Sequence, residues 1–401
     1  MKRKYAVLLS VMLMLTACKE KNSGSGEETE TGTVSINMHF SNGDEPFEDY
    51  MVRVNGTNAK YILDISKSEL KDQIKVTVED SSYKRTVFYV DAPEGYIPYF
   101  PETQVNAPYA ANIIRNDLTA ETYPDLIQFS FVLEDKNSGM PDYMSAFYTI
   151  DDEAKLHKIE VTDMTSNDGS GKPVKLSFLD RAQFNHTEPG TFIYEISVDD
   201  TNIYDEEGAF IPVEERVKIK VLTFDKKDLT MKISRKVIAE YDPLYFGYAY
   251  WAVANAAAQY FTQYTLPDVD YQSFAVHEGS DEDYYLVDSD RFRSTEDLRK
   301  YLRSIFSRDM TDKLLSEAPQ DYRDINGRLY AKDTADMKNS SLGTLTFTDY
   351  YMTETTMLFY SRQVKFDSDG NFEAYTDGGN FEISCENSDN WEIVRYRYPY
   401  S

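Results

Sequence analysis

Cys385 is the side chain best suited by type to act as a nucleophile, and His277 is the histidine that would serve it as a base. Cys385 follows the strand-like run Phe381-Glu382-Ile383, where a thiol is more often buried and inert. The other histidines are His39, His157 and His186. None has metal-ligand spacing with another histidine or with cysteine. His186 falls in an expected loop, and His39 and His157 lie in or beside expected strands. Asp367-Ser368-Asp369-Gly370-Asn371 has part of the pattern of a calcium loop. The sixth position of such a loop needs glycine and is Phe372 here, so a hairpin turn explains these residues as well. Asp281, Glu282 and Asp283 form an acidic loop that reads as solvated, with cation binding or a basic cleft as the functional alternatives. There is no Gly-x-Ser-x-Gly, no His-Glu-x-x-His, no phosphate loop and no dinucleotide fingerprint. The expectation is a non-enzyme with no metal and no cofactor.

Charge narrows the partners. The formal net charge is −27. Such a surface is repelled by nucleic acid, anionic lipid headgroups and anionic wall polymers, and it favours a neutral or basic partner. The chain opens on Met1-Lys2-Arg3-Lys4, an apolar run from Tyr5 to Leu15, and Thr16-Ala17-Cys18. A basic start, a short apolar run and small residues read as an export signal over 1–17, and the run is too short to span a bilayer. Leu15-Thr16-Ala17-Cys18 resembles the bacterial lipobox. The resemblance implies cleavage before Cys18, lipid on its sulfur, and anchoring to the outer face of the cytoplasmic membrane. Removal of Lys2, Arg3 and Lys4 takes the charge to −30. Cys385 is then the only other cysteine, so packing rather than a disulfide must hold the chain.

The elements fall into an N-terminal all-β, sandwich-like region and a C-terminal α+β domain. Residues 18–33 are rich in Ser, Gly, Glu and Thr and read as a flexible tether. Alternating runs then predict strands at Val34 to Met38, Met51 to Val54, Tyr61 to Leu63, Ile74 to Val78 and Thr86 to Val90, with a helix over Ser66 to Asp72. These make a sandwich-like domain over 34–118. A second antiparallel region, 119–240, carries expected strands from Leu126 to Leu133 through Thr230 to Ile238.

The C-terminal domain, 241–401, is expected to open with a joint at Tyr241 to Gly247 and an Ala-rich helix from Tyr250 to Tyr264. Ser294 and Asp297 have the spacing of a helix cap. Leu298, Tyr301, Leu302, Ile305 and Phe306 form the clearest helical stripe in the chain. Ser307 or Asp309 caps a second short helix, ended by Pro319. Asp324-Ile325-Asn326-Gly327 makes a turn into a strand at Arg328. A meander follows, with turns at Asp367 to Gly370, Asp377 to Gly379 and Asn387 to Asn390. Helices on one face of a curved antiparallel sheet are the expected packing. Tyrosine is abundant, at 32 residues, which suits half-buried strands or a binding surface at Tyr284-Tyr285, Tyr350-Tyr351 and Tyr396 to Tyr400.

Phe292 through Ser307, Asn326-Gly327-Arg328-Leu329-Tyr330 and Asn390-Trp391-Glu392-Ile393 together resemble the IseA family. Its members inhibit bacterial cell-wall D,L-endopeptidases. The likeness covers roughly residues 245–401, and residues 34–240 have no counterpart in the simplest members. The same plan belongs to the wider cystatin-like cone domains. The resemblance implies a membrane-anchored lipoprotein that occludes the cleft of a secreted endopeptidase and so restrains peptidoglycan cleavage. The segment Ala331 to Leu342, with Asp333, Asp336, Lys338 and Asn339, is the candidate docking loop. An alternative is a cone module holding a small-molecule or glycan ligand in a hollow lined by Tyr351, Phe359 and Trp391. Another is an envelope protein adaptor working through the β region.

Overall fold

A computed structural model describes residues 35–38, 52–55, 61–68, 70, 72–80, 84–99, 110–116, 121–150, 155–180, 185–188, 190–225, 227–262, 269–276, 283–289, 291–332, 341–366, 372–388 and 390–399. The export signal, the tether, Cys18, His39, His277 and the calcium-like residues Asp367 to Asn371 lie outside these. The chain is β-rich and forms two compact units. One comprises Met1–Tyr194, Val221–Ser234 and Asp367–Phe372. The other comprises Glu195–Lys220, Arg235–Phe366 and Glu373–Ser401.

In the first unit, strands Tyr61–Lys67, Gln73–Asp80 and Arg85–Asp91 form an antiparallel sheet. Its alternation buries Ile74, Val76, Val78 and Val90. Among the described residues of Ser66 to Asp72, where a helix was expected, none is helical. The strand runs through Lys67, and the Ser68 hydroxyl accepts from Leu70 N in the turn that follows. Short polar side chains that bond their own backbone favour turns over helix.

A second sheet is built on the long strand Glu121–Asp135, which pairs with Tyr96–Pro98, Ala110–Asn116 and Pro141–Ile150. Asn116 faces Glu121 across a hairpin, so the expected limit at 118 falls between two paired strands. A third sheet departs from the antiparallel pairing expected over 119–240, because Val161–Asn167 runs parallel to Thr230–Lys236. Leu126 and Phe147 from the second sheet share one core with Val161, Phe192, Leu222, Met231 and Ile233 from the third. That is sheet-on-sheet packing, as a sandwich-like reading requires. His186 sits in strand Asn185–Glu188 opposite Phe192, where a loop was expected.

The second unit is larger than 241–401, because it includes Glu195–Lys220. That stretch supplies a single helical turn, α1 (Val213–Arg216), whose Arg216 is 2% exposed. Three longer helices follow: α2 (Pro243–Ala257), α3 (Thr295–Arg303) and α4 (Arg308–Glu317). The helix α2 begins well before Tyr250, inside the expected joint. Pro243 occupies its first turn, where the missing N–H costs nothing. Gly247 is needed because a Cβ there would lie 2.5 Å from the Phe359 ring. Both residues read as breakers in sequence and are helix-compatible in place. Ser294 caps α3 by accepting from Asp297 N at 3.2 Å. Asp297 itself accepts from Arg293 N, one residue before the cap. Ser307, not Asp309, caps α4, accepting from Met310 N. The whole stripe Leu298, Tyr301, Leu302, Ile305 and Phe306 is buried.

Two four-stranded sheets complete this unit. One is ordered Val269–Val276, Asp283–Val287, Arg328–Lys332, Arg323–Ile325. Asn326 and Gly327 both have positive φ, as its tight hairpin requires. The other is the meander Leu342–Met352, Thr356–Phe366, Phe372–Ser384, Glu392–Arg395. The turn expected at Asp377 to Gly379 is a local irregularity within one strand: Asp377 Oδ1 accepts from Gly379 N at 2.8 Å and Gly379 has φ 84°. Gly378 is buried there because a Cβ would meet Ser361 Oγ at 2.5 Å. The last strand is clipped to the α3–α4 junction. Ser307 N donates to Ile393 O at 3.0 Å and Ile393 N donates to Ile305 O at 2.9 Å.

Arg216 is the polar tie within this unit. It donates to Asp200 Oδ1 at 2.9 Å and to Ser304 Oγ at 3.1 Å, while Tyr301 Oη donates to Asp200 Oδ2 at 3.1 Å. Removing one partner of a buried ion pair leaves an uncompensated charge, so Arg216→Met is expected to lower stability by about 3 kcal/mol. Trp251 and Trp391 are the two tryptophans and both lie in this unit. Urea unfolding followed by tryptophan fluorescence therefore reads its transition. An unchanged midpoint would refute the role given to Arg216.

Candidate functional site

The acidic loop and the candidate docking loop leave the same end of one sheet. Strand Asp283–Val287 pairs antiparallel with Arg328–Lys332, with Tyr284 opposite Lys332. It also pairs with Val269–Val276, with Val276 opposite Asp283. The chain therefore departs at Val276, returns at Asp283 and departs again at Lys332, all at one edge. Asp281 and Glu282 lie outside the described residues, as do Asp333, Asp336, Lys338 and Asn339. Their points of attachment are side by side, although they are separated by the whole of α3 and α4 in sequence.

That end of the sheet is braced by Asp321. Its backbone has φ 39°, a conformation uncommon for a residue with a side chain. Tyr284 Oη donates to its carboxylate at 2.6 Å and Arg323 Nη2 donates at 2.9 Å. Partial burial opposes ionisation of Asp321, but these two donors outweigh it and hold the carboxyl below its usual range. The same bond to Asp321 is the main reason the Tyr284 phenol is pushed up, with burial adding to it. Gln320 fixes the adjoining backbone: its side-chain N–H donates to Thr262 O at 2.6 Å, and its backbone carbonyl accepts from Lys332 N. Sequence reasoning singled out the two loops, and Tyr284 as part of an aromatic surface, but not Asp321 or Gln320. The Asp-Tyr-Arg run at 321–323 gave no motif, and its partners are distant in sequence.

The residues expected to line a hollow do not share one. Tyr351 lies opposite Leu358, and Phe359 is the next residue, so Tyr351 and Phe359 occupy opposite faces of their hairpin. Tyr351 is 60% exposed. Phe359 is fully buried among Phe347, Phe381 and Gly247. Trp391 is half-buried against Phe246 and donates its indole N–H to Glu240 at 3.2 Å. The side of the meander that faces α2 is thus filled by Phe347, Phe359, Phe381 and side chains of α2. A shallow depression remains beside it, lined by Trp251, Gly379, Asn380 and Arg397. Tyr284, Tyr396 and Tyr398 are buried, while Tyr350 and Tyr351 face solvent.

Cys385 is half-buried. Desolvation, with Glu240 and Glu386 nearby, pushes its thiol pKa up. An activated nucleophile needs the opposite shift. Among the described residues, no group of three or more His, Cys, Asp or Glu is arranged to hold a metal ion. No helix among them is long and apolar enough to cross a membrane. Comparison with known proteins finds no family model, no curated sequence and no solved structure that matches the chain.

A chain beginning at Lys19 has Cys385 as its single thiol. Its alkylation rate is expected to be slow at neutral pH and to reach half its maximum above the midpoint of an ordinary free thiol, about pH 8.5. A plateau reached below pH 8 would contradict the environment described.

Proposed function

We propose that this protein is an exported, lipid-anchored inhibitor of cell-wall D,L-endopeptidases, and that its second unit is a cystatin-like α+β domain. It acts by steric occlusion, not by catalysis, and needs no cofactor. The anchor is Cys18, and the partner is a secreted endopeptidase.

The observation that carries this reading is the register that sets Tyr284 opposite Lys332. It sets the points where the chain leaves for 277–282 and for 333–340 side by side at one end of a braced sheet, and connections on a fixed frame are where partner contacts concentrate. The residues behind the IseA resemblance lend support of another kind. Leu298, Tyr301, Leu302, Ile305, Phe306, Leu329 and Ile393 are all core residues of the second unit. A likeness carried by core positions speaks for a shared frame, with the inhibitory contacts left to the connections. The filled α2-facing side of the meander counts against a ligand held there.

The test is digestion of purified peptidoglycan by a D,L-endopeptidase in the presence of the chain from Lys19 onward. Inhibition saturating at one inhibitor per enzyme is expected. Replacement of residues 333–340 by a short Gly-Ser linker is expected to weaken it at least tenfold while the tryptophan-detected unfolding transition is retained. Full inhibition by that variant would remove the loop from the account, and no inhibition of any such enzyme by the parent chain would remove the function.

A further inference from the structure

The strand Arg85–Asp91 is outermost in its sheet. It pairs with Gln73–Asp80 on one side, and among the described residues no strand pairs with its other side. The ladder is regular, with Gln73 opposite Asp91 and no shift of register. It continues for one more residue, where Ala92 N donates to Asp72 O at 2.8 Å. Backbone bonding alternates along an antiparallel pair. Thr86, Phe88 and Val90 therefore turn their N–H and C=O groups to Gln73–Asp80, while Arg85, Val87, Tyr89 and Asp91 turn theirs to the open side. Edge strands are commonly blunted by a proline or a bulge, and this one has neither.

The open side is self-complementary. Val87 and Tyr89 are 45% and 57% exposed, and Arg85 and Asp91 at the two ends are exposed as well. A second copy laid antiparallel, with Phe88 on the two-fold axis, sets Arg85 opposite Asp91 and Val87 opposite Tyr89. All four belong to the set whose backbone groups face outward, so each pair can exchange hydrogen bonds. Phe88 is half-buried on the core face. It meets its counterpart at the axis in a non-hydrogen-bonded pair, where side chains approach most closely. Sliding the copies by two residues either way loses both ion pairs, and sliding by one turns the exposed faces to opposite sides.

Charge permits this pairing. The positions on this face of the sheet hold Asp64, Lys75, Glu79, Arg85 and Asp91, three acids and two bases, so the patch is close to neutral in a chain of net charge −27. Repulsion from the remaining charge is screened beyond about 8 Å at physiological salt. Glu79 lies opposite Arg85 within the sheet. Asp91 accepts from Gln73 Nε2 at 2.7 Å and has Lys158 nearby. The ion pairs with a second copy thus join existing contacts and serve to fix the register, while backbone bonds and the Val87, Phe88 and Tyr89 contacts hold the copies together. We infer that Arg85–Asp91 is the interface of a two-fold dimer of this chain, joining two three-stranded sheets into one. The inference does not depend on the endopeptidase reading.

Sedimentation equilibrium of the chain from Lys19 onward, at physiological salt and from micromolar to submillimolar concentration, reads the association. A monomer–dimer equilibrium is expected. Val87→Pro removes an N–H that faces the open side, so the dimer is expected to be lost while far-UV circular dichroism is retained. Arg85→Glu sets like charges opposite each other at both ends and is expected to weaken the dimer about tenfold. Arg85→Glu with Asp91→Lys restores opposite charges at unchanged net charge and is expected to recover most of that loss. A parent chain that stays monomeric throughout, a dimer undiminished by Val87→Pro, or a double variant no better than Arg85→Glu would overturn the proposal.

Discussion

The second unit depends on a charged group that has no business being buried alone. Arg216 ends a single helical turn and is almost fully enclosed. Its guanidinium is balanced by Asp200, whose second oxygen takes the Tyr301 hydroxyl from the middle of α3. Ser304, just past the end of α3, accepts a further hydrogen bond. Arg291 donates to the Asp200 carbonyl and lies over the Tyr301 ring. The desolvation cost of such a group is offset only when every partner is in place. The arrangement therefore specifies one position for α3 relative to the 195–220 segment, and α3 in turn leads directly to the junction that holds the final strand.

Aromatic packing extends that constraint. Phe246 on α2 meets Trp391, and Tyr248 meets Phe347. The Phe359 ring occupies the space that Gly247 leaves open. Tyr250 donates to Glu214 in α1 at 3.0 Å. The helix α2 is apolar on nearly every side because it is buried on nearly every side. These contacts fill the space between α2 and the meander and leave exposed aromatic groups on the meander's other face.

What was legible in sequence was what is decided locally. The Ser294 cap, the stripe from Leu298 to Phe306 and the Asn326-Gly327 hairpin are set by neighbours three or four residues away, and the structure contains all of them. The start of α2 was not legible, because the reason Gly247 belongs in a helix is Phe359, more than a hundred residues later. That the strand Phe372–Ser384 continues through Gly378 was missed for the same cause: Gly378 reads as the end of a strand until Ser361 is placed against it. The true extent of the second unit was hidden because Arg216 looks like any exposed arginine until Asp200 and Ser304 enclose it. The two candidate loops were visible as separate polar stretches. Their shared edge is a matter of strand register, which periodicity alone does not reveal.

We propose that a wall endopeptidase binds at the end of the sheet where Asp283 and Lys332 lie, on strands Asp283–Val287 and Arg328–Lys332. Amide hydrogen exchange of the chain, alone and mixed with a D,L-endopeptidase, measures this most directly. The account predicts slowed exchange in peptides covering 277–283 and 332–341 together, with the core of α3 unchanged. A complex that leaves both of these segments exchanging at their free rates would contradict it.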